Sequence, residues 1–209
     1  ALATLAVAGT AFAQSSVTID GRIDLGMVKV KGSSAKLDAT NGASQIRFRG
    51  TEDLGGGMKA NFVLAQRFSP ESGLADGTSQ RPTFQGESTV GLSGSFGSVK
   101  VGRSLTAFQG PVNSTDPYGT LTQGSTAALT TGYATDIDFG SSGSGAGRTD
   151  AITFNSNTYS GFNVAVSYGL KNSASSGSTV LGAGNLTSLW ASYANGPLMV
   201  GGGMEENRT

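Results

Sequence analysis

Val17-Thr18-Ile19-Asp20-Gly21-Arg22-Ile23-Asp24-Leu25-Gly26-Met27 alternates one residue at a time between apolar and polar side chains. The odd positions are all apolar or glycine, and the even ones carry Asp20, Arg22 and Asp24. Side chains of a β-strand point alternately to its two faces, so this stretch needs an apolar medium on one side and water on the other. The pattern recurs. Ile46 and Phe48 alternate with Gln45, Arg47, Arg49 and Thr51, and Met58, Ala60, Phe62 and Leu64 alternate with Lys59, Asn61, Val63 and Ala65. Ile152 and Phe154, then Phe162, Val164, Val166 and Tyr168, then Leu189, Ala191 and Tyr193 continue it. About nine strands of roughly 8 to 13 residues are readable, close to the length a tilted strand needs to cross a bilayer.

The connections differ in size. Asp53-Leu54-Gly55-Gly56-Gly57 and Ser93-Gly94-Ser95-Phe96-Gly97 are short and glycine-rich, as hairpin turns are. Segments 31–42, 69–82 and 106–147 are longer and rich in Ser, Thr, Gly and Asp. Short turns at one end with long loops at the other is the asymmetry of an outer-membrane barrel. A soluble β-sandwich gives the same alternation, because parity alone cannot say whether the apolar face looks inward or outward.

Residues 1–13 are an apolar run of small residues ending Ala11-Phe12-Ala13, the small-x-small pattern of a signal-peptidase site. They read as the remainder of an export signal, with residues 14–209 as the barrel portion. No apolar run reaches the length of about 20 residues that a membrane helix requires, so membrane residence would mean a barrel.

Composition narrows the function classes. The 209 residues include 33 glycines, about twice average usage, which suits many turns and closely approaching strands. Fourteen basic residues balance fourteen acidic ones, so the basic excess of a nucleic-acid binder is missing. The chain has no His and no Cys, and so lacks the usual general base and the usual metal ligands. The glycine runs at 55–57 and 143–147 do not join a strand to a helix as a phosphate-binding loop would. Asp136-x-Asp138 falls well short of the six to eight oxygens a calcium site takes. No catalytic pair, cofactor or metal is implied. Trp190, Tyr193, Tyr168 and Tyr159 fit either an interfacial aromatic girdle or ordinary strand packing.

Ser44-Gln45-Ile46-Arg47-Phe48-Arg49-Gly50-Thr51-Glu52-Asp53-Leu54-Gly55-Gly56-Gly57-Met58-Lys59-Ala60 resembles the second strand, first periplasmic turn and third strand of β-proteobacterial general porins. Val90 to Arg103 resembles the next hairpin, Arg148 to Phe154 with Tyr159-Ser160-Gly161-Phe162 the one after the constriction loop, and Ser192 to Leu198 a later turn. The resemblance implies an all-β transmembrane antiparallel barrel of about 16 strands, of which this chain holds the N-terminal part. It implies an outer-membrane homotrimer, set among lipid and lipopolysaccharide, that passes ions and small hydrophilic solutes by passive diffusion. A structural or adhesive barrel with a plugged lumen is the rival reading. The chain stops at Thr209 without the aromatic-terminated last strand of such proteins, so it is expected to lack the closing strands.

By the same resemblance, 106–147 is the loop folded into the bore. It carries Asp116, Asp136 and Asp138 and no Lys or Arg. Arg103 and Arg148 are the candidates for the facing basic wall, joined by Arg22 and Arg47 from the charged strand faces. Opposed fixed charges across a narrow aqueous gap orient dipolar solutes and exclude apolar ones. Arg103 shares its parity with Val99 and Val101, so a bulge or strand end must re-aim it. The family usually has Arg where this chain has Gln45, and small or apolar residues at positions 22 and 47, so the basic cluster is expected to be rearranged.

Overall fold

The computed structural model describes residues 15–38, 44–75, 83–115, 148–169 and 185–208. The export-signal residues 1–13, and Asp116, Asp136 and Asp138, lie outside them. Twelve strands and one helix are described: β1 (Ser16–Arg22), β2 (Gly26–Val28), β3 (Lys36–Asp38), β4 (Ser44–Gly55), β5 (Met58–Ser69), β6 (Leu74–Ala75), β7 (Glu87–Gly94), β8 (Gly97–Leu105), α1 (Gln109–Thr115), β9 (Arg148–Asn155), β10 (Phe162–Gly169), β11 (Asn185–Asn195) and β12 (Leu198–Arg208).

Nine of these strands form one antiparallel meander, β1-β4-β5-β7-β8-β9-β10-β11-β12, with β6 as a short addition to the end of β5. Every neighbour on the path is also the next long strand in the chain, as hairpin connections dictate. The turns are those the glycines foretold. Gly55, Gly56 and Gly57 all take positive φ between β4 and β5, a conformation other residues adopt only at a cost. Gly196 does the same between β11 and β12, where Asn195 pairs with Leu198.

The register carries the main result. One row across all nine strands reads Ser16, Thr51, Asn61, Gly91, Lys100, Thr153, Ser167, Ser188 and Glu205. The adjacent row reads Val17, Gly50, Phe62, Val90, Val101, Ile152 and Tyr168, ending in Thr187 and Glu206. The apolar row is the bare one: Val17 is 67% exposed and Phe162, on the same face of β10, is 60% exposed. Ser167 and Ser188 on the polar face are fully covered. A water-soluble sandwich has the opposite arrangement, with its apolar faces hidden. The two-sided uncertainty of the sequence is thereby resolved in favour of an apolar exterior.

Two local features depart from the simple alternation. The stretch from Val17 to Met27 leaves the sheet after Arg22 and resumes as β2, which pairs with β3 in a separate hairpin. Ser44 ties the chain beyond the break: its hydroxyl accepts from the Asp24 amide at 2.8 Å and donates to the Asp24 carbonyl, where ladder bonds have ended. On the apolar face Gly50 is roofed by the ring of Phe62, its cross-strand partner. A Cβ there would lie 2.0 Å from a ring carbon. Gly50→Val should therefore drive the ring off its neighbour and cost about 1–3 kcal/mol of overpacking. A lower heat midpoint of the folded, gel-mobile form in detergent is the measurement that checks it.

Candidate functional site

The polar face is not empty. After β8 the chain turns back over the sheet, and Thr106 to Val112 settle across β10, β11 and β12. Polar backbone groups brought onto a wall must find partners, and here side chains of the wall supply them. The Ala107 amide donates to Ser167 Oγ at 2.8 Å, and the Phe108 amide donates to Ser188 Oγ at 2.9 Å. The Thr106 hydroxyl donates to Glu205 Oε2 at 2.5 Å and accepts from the Gln109 amide at 3.1 Å. Ser167 is held in turn by Thr153, hydroxyl to hydroxyl, at 2.9 Å. Three consecutive strands thus each provide one oxygen to this segment.

Apolar contact completes the anchor. Trp190 lies on the covered face, only 6% exposed, edge-on to Phe108 with ring centroids 6.1 Å apart. Ala107 and Ala165 pack with it, and Val112 lies against the same cluster. Gly201 and Gly203 on β12 leave room for the indole, since a Cβ on Gly201 would come 2.5 Å from the ring. Trp190 is therefore not part of an outward aromatic belt. Tyr168 does face outward, whereas Tyr159 sits in the turn before β10 and donates its hydroxyl to the Ser95 carbonyl at 2.6 Å. Ser188→Ala should take the acceptor from the half-buried Phe108 amide, a loss of about 1 kcal/mol. Faster amide hydrogen exchange at Phe108, with Thr153 and its neighbours unchanged, is the expected signature.

The basic candidates fall into two groups. Arg103 and Arg148 converge on the start of β7. Arg103 Nε donates to the Gln85 carbonyl at 3.1 Å, and Arg148 Nε donates to the Gly86 carbonyl at 2.5 Å. Arg103 is 7% exposed, although its pairing with Ser88 and Asp150 is regular. Gly102, immediately before it, has φ of 119°. The ladder shows no bulge there, in place of the bulge or strand end the parity called for, and beyond Gly102 both Arg103 and Ser104 are buried. Arg148 lines a half-open cleft of about 210 Å³ between the sheet and the anchored segment, with Glu87, Lys100, Thr106, Pro111 and Thr153.

The second group is on β1 and β4. Arg47 faces Asp20 across the strand pair, with Arg49 one step along the same face. Arg47 reaches Asp20 Oδ1 through Nε at 2.7 Å and Nη2 at 2.6 Å, and Arg49 reaches Oδ2 through Nε at 2.7 Å and Nη2. Arg22 lies opposite Gln45 at the end of β1 and is exposed. Sequence reasoning did not single out Arg49, Lys100, Glu87 or Glu205. Parity with Arg47 would have found Arg49. Lys100 forms an ion pair with Glu87 at 3.2 Å, and its place between Val99 and Val101 was a comparable signal.

Comparison with known proteins bears directly on this arrangement. The family model described as Gram-negative porin matches residues 1–209. The chain belongs to the Gram-negative porin family. It is 34% identical to outer membrane porin protein 32 of Delftia acidovorans, over all of this chain and 59% of that protein. It is 30% identical to an outer membrane porin protein of Bordetella pertussis, over 92% of this chain and 54% of that one. Among solved structures, an anion-selective porin from Comamonas acidovorans superposes with a TM-score of 0.73 at 28% identity, covering 93% of this chain and 58% of that chain. This porin chain thus spans somewhat over half the length of the relatives it matches. Its open meander has the strand arrangement of a porin barrel wall, and the names of its relatives place it in the bacterial outer membrane.

Proposed function

We propose that the full-length protein is a passive diffusion channel, a homotrimer in the outer membrane that admits ions and small hydrophilic solutes and favours anions. The observation that carries this reading is the inverted sheet: apolar rows bare for lipid, polar rows turned to the side where a loop segment is seated. A closed barrel of such strands satisfies its backbone in hydrocarbon and leaves a wet bore. Segment 106–147 is the constriction loop, anchored at its first turn by Ser167, Ser188 and Glu205, with Asp116, Asp136 and Asp138 as its acidic complement. Arg103, Arg148, Arg47 and Arg22 form the basic side.

Preference for anions follows from the wall chemistry. In the described wall Glu87 is matched by Lys100, and Asp20 is shared by two arginines, so that triplet keeps one net positive charge. A positive potential in a narrow bore raises local anion concentration. The solved porin that superposes on the chain is described as anion-selective, which supports the same direction.

Planar-bilayer recording of the full-length protein tests the proposal. Large ohmic steps with a reversal potential displaced toward anions in a salt gradient are expected. A silent membrane would support a plugged barrel instead.

A further inference from the structure

The triplet Asp20, Arg47 and Arg49 has a geometry that an ordinary surface ion pair lacks. Each guanidinium presents Nε and Nη2 to one oxygen of Asp20, Arg47 to Oδ1 and Arg49 to Oδ2, so the two arginines converge on one carboxylate from alternate positions of β4. Paired donors of this kind match the oxygens of carboxylates and phosphates. Asp20 ties the two arginines to each other. Their side chains are still 39% and 49% exposed on the polar face, so a solute moving along that face meets them.

We propose that Asp20 is a specificity-determining residue, a resident anion that occupies the Arg47–Arg49 fork and keeps permeating oxyanions from lodging there. This rests on the channel reading above. A conduction path needs sites that attract an ion without retaining it. Two adjacent guanidiniums with no carboxylate between them would hold a multivalent oxyanion too well. With Asp20 in place the triplet carries one net positive charge instead of two, and its oxyanion-shaped donors are engaged. The register supports a designed fit: Asp20 lies directly opposite Arg47 and diagonal to Arg49, which pairs with Thr18, and both distances are within reach of long side chains.

The test is bilayer recording of the full-length trimer with chloride as carrier, adding inorganic phosphate to one side. The parent should pass chloride with little block by millimolar phosphate. Asp20→Asn, nearly the same shape but neutral, should show a chloride current reduced about threefold or more by the same phosphate, and an anion-to-cation ratio raised about twofold in 0.1 M salt, where the Debye length is about 10 Å. Asp20→Glu should restore the parental response. Asp20→Thr, neutral and β-branched, serves if the Asn variant does not assemble. Equal phosphate sensitivity and equal reversal potentials in parent and neutral variants would overturn the proposal while leaving the channel reading intact. Failure of both neutral variants to assemble would overturn it too, by assigning Asp20 to folding. A parent that does not conduct would remove the channel reading itself, and this proposal with it.

Discussion

Replacing both Arg103 and Arg148 with glutamine is expected to lower the anion-to-cation permeability ratio of the full-length channel by about threefold or more in 0.1 M salt, the largest selectivity change among the substitutions considered. Both guanidiniums attach to adjacent carbonyls, Gln85 and Gly86, at the mouth of β7. Their positive charges therefore sit within a few ångströms of the same stretch of wall. Removing them lowers the local positive potential, so fewer anions and more cations are admitted, and the reversal potential moves toward cations. The effect should shrink in 1 M salt, where screening acts over about 3 Å. Arg148 borders the cleft beneath the anchored segment and should account for more of the change than Arg103, which is buried. Arg103→Lys with Arg148→Lys keeps the charge and separates its contribution from the carbonyl bonds. Reversal potentials in a salt gradient that match the parent for the glutamine pair would refute the wall assignment.

The second expectation concerns the anchor. Trp190→Ala should destabilise the seating of Thr106 to Val112 by about 3–5 kcal/mol, the range for deleting a buried aromatic. Phe108 and Val112 would lose the surface they lean on, and the glycines at 201 and 203 cannot fill the gap. The hydrogen bonds to Ser167, Ser188 and Glu205 would then hold the segment without its apolar contacts, the two amide bonds each worth about 0.5–1.5 kcal/mol net. A freed segment should give larger and noisier single-channel currents and a new proteolytic cleavage between residues 106 and 115. Trp190→Phe should keep much of the parental behaviour. Quiet, parental-sized steps from the alanine variant would mean that this segment does not narrow the bore.

Much of the sheet was legible in the sequence, because lipid on one face and water on the other enforce a period of two on every strand. Val17 to Arg22, Gln45 to Thr51 and Phe162 to Tyr168 each displayed it and each became a strand of the meander. Turn positions were equally plain where three successive glycines needed positive φ. The break after Arg22 was not, since the apolar alternation runs on through it to Met27 and the bond that ties the chain there comes from Ser44, 20 residues away. The burial of Arg103 was half legible: its parity signalled a conflict, and the structure buries it without a bulge in the ladder, next to a Gly102 of positive φ. The seat of the 106–112 segment left no local trace. Its partners are serines and a glutamate 60 to 99 residues distant, in types common everywhere in this chain. Trp190 was open between a girdle and ordinary strand packing, and the register, which puts it on the covered face in the middle of β11, decides for packing.

Those long sequence separations bear on the order of assembly. Ala107, Phe108 and Thr106 reach partners 60, 80 and 99 residues ahead of them, on β10, β11 and β12. Contacts so far apart along the chain form slowly, because the intervening segment must first be gathered in. The hairpins from β1 to β8 need no such wait, each closing on its immediate neighbour. The seat of Thr106 to Phe108 therefore cannot form until β10, β11 and β12 are in place, whereas the early part of the sheet can close without it.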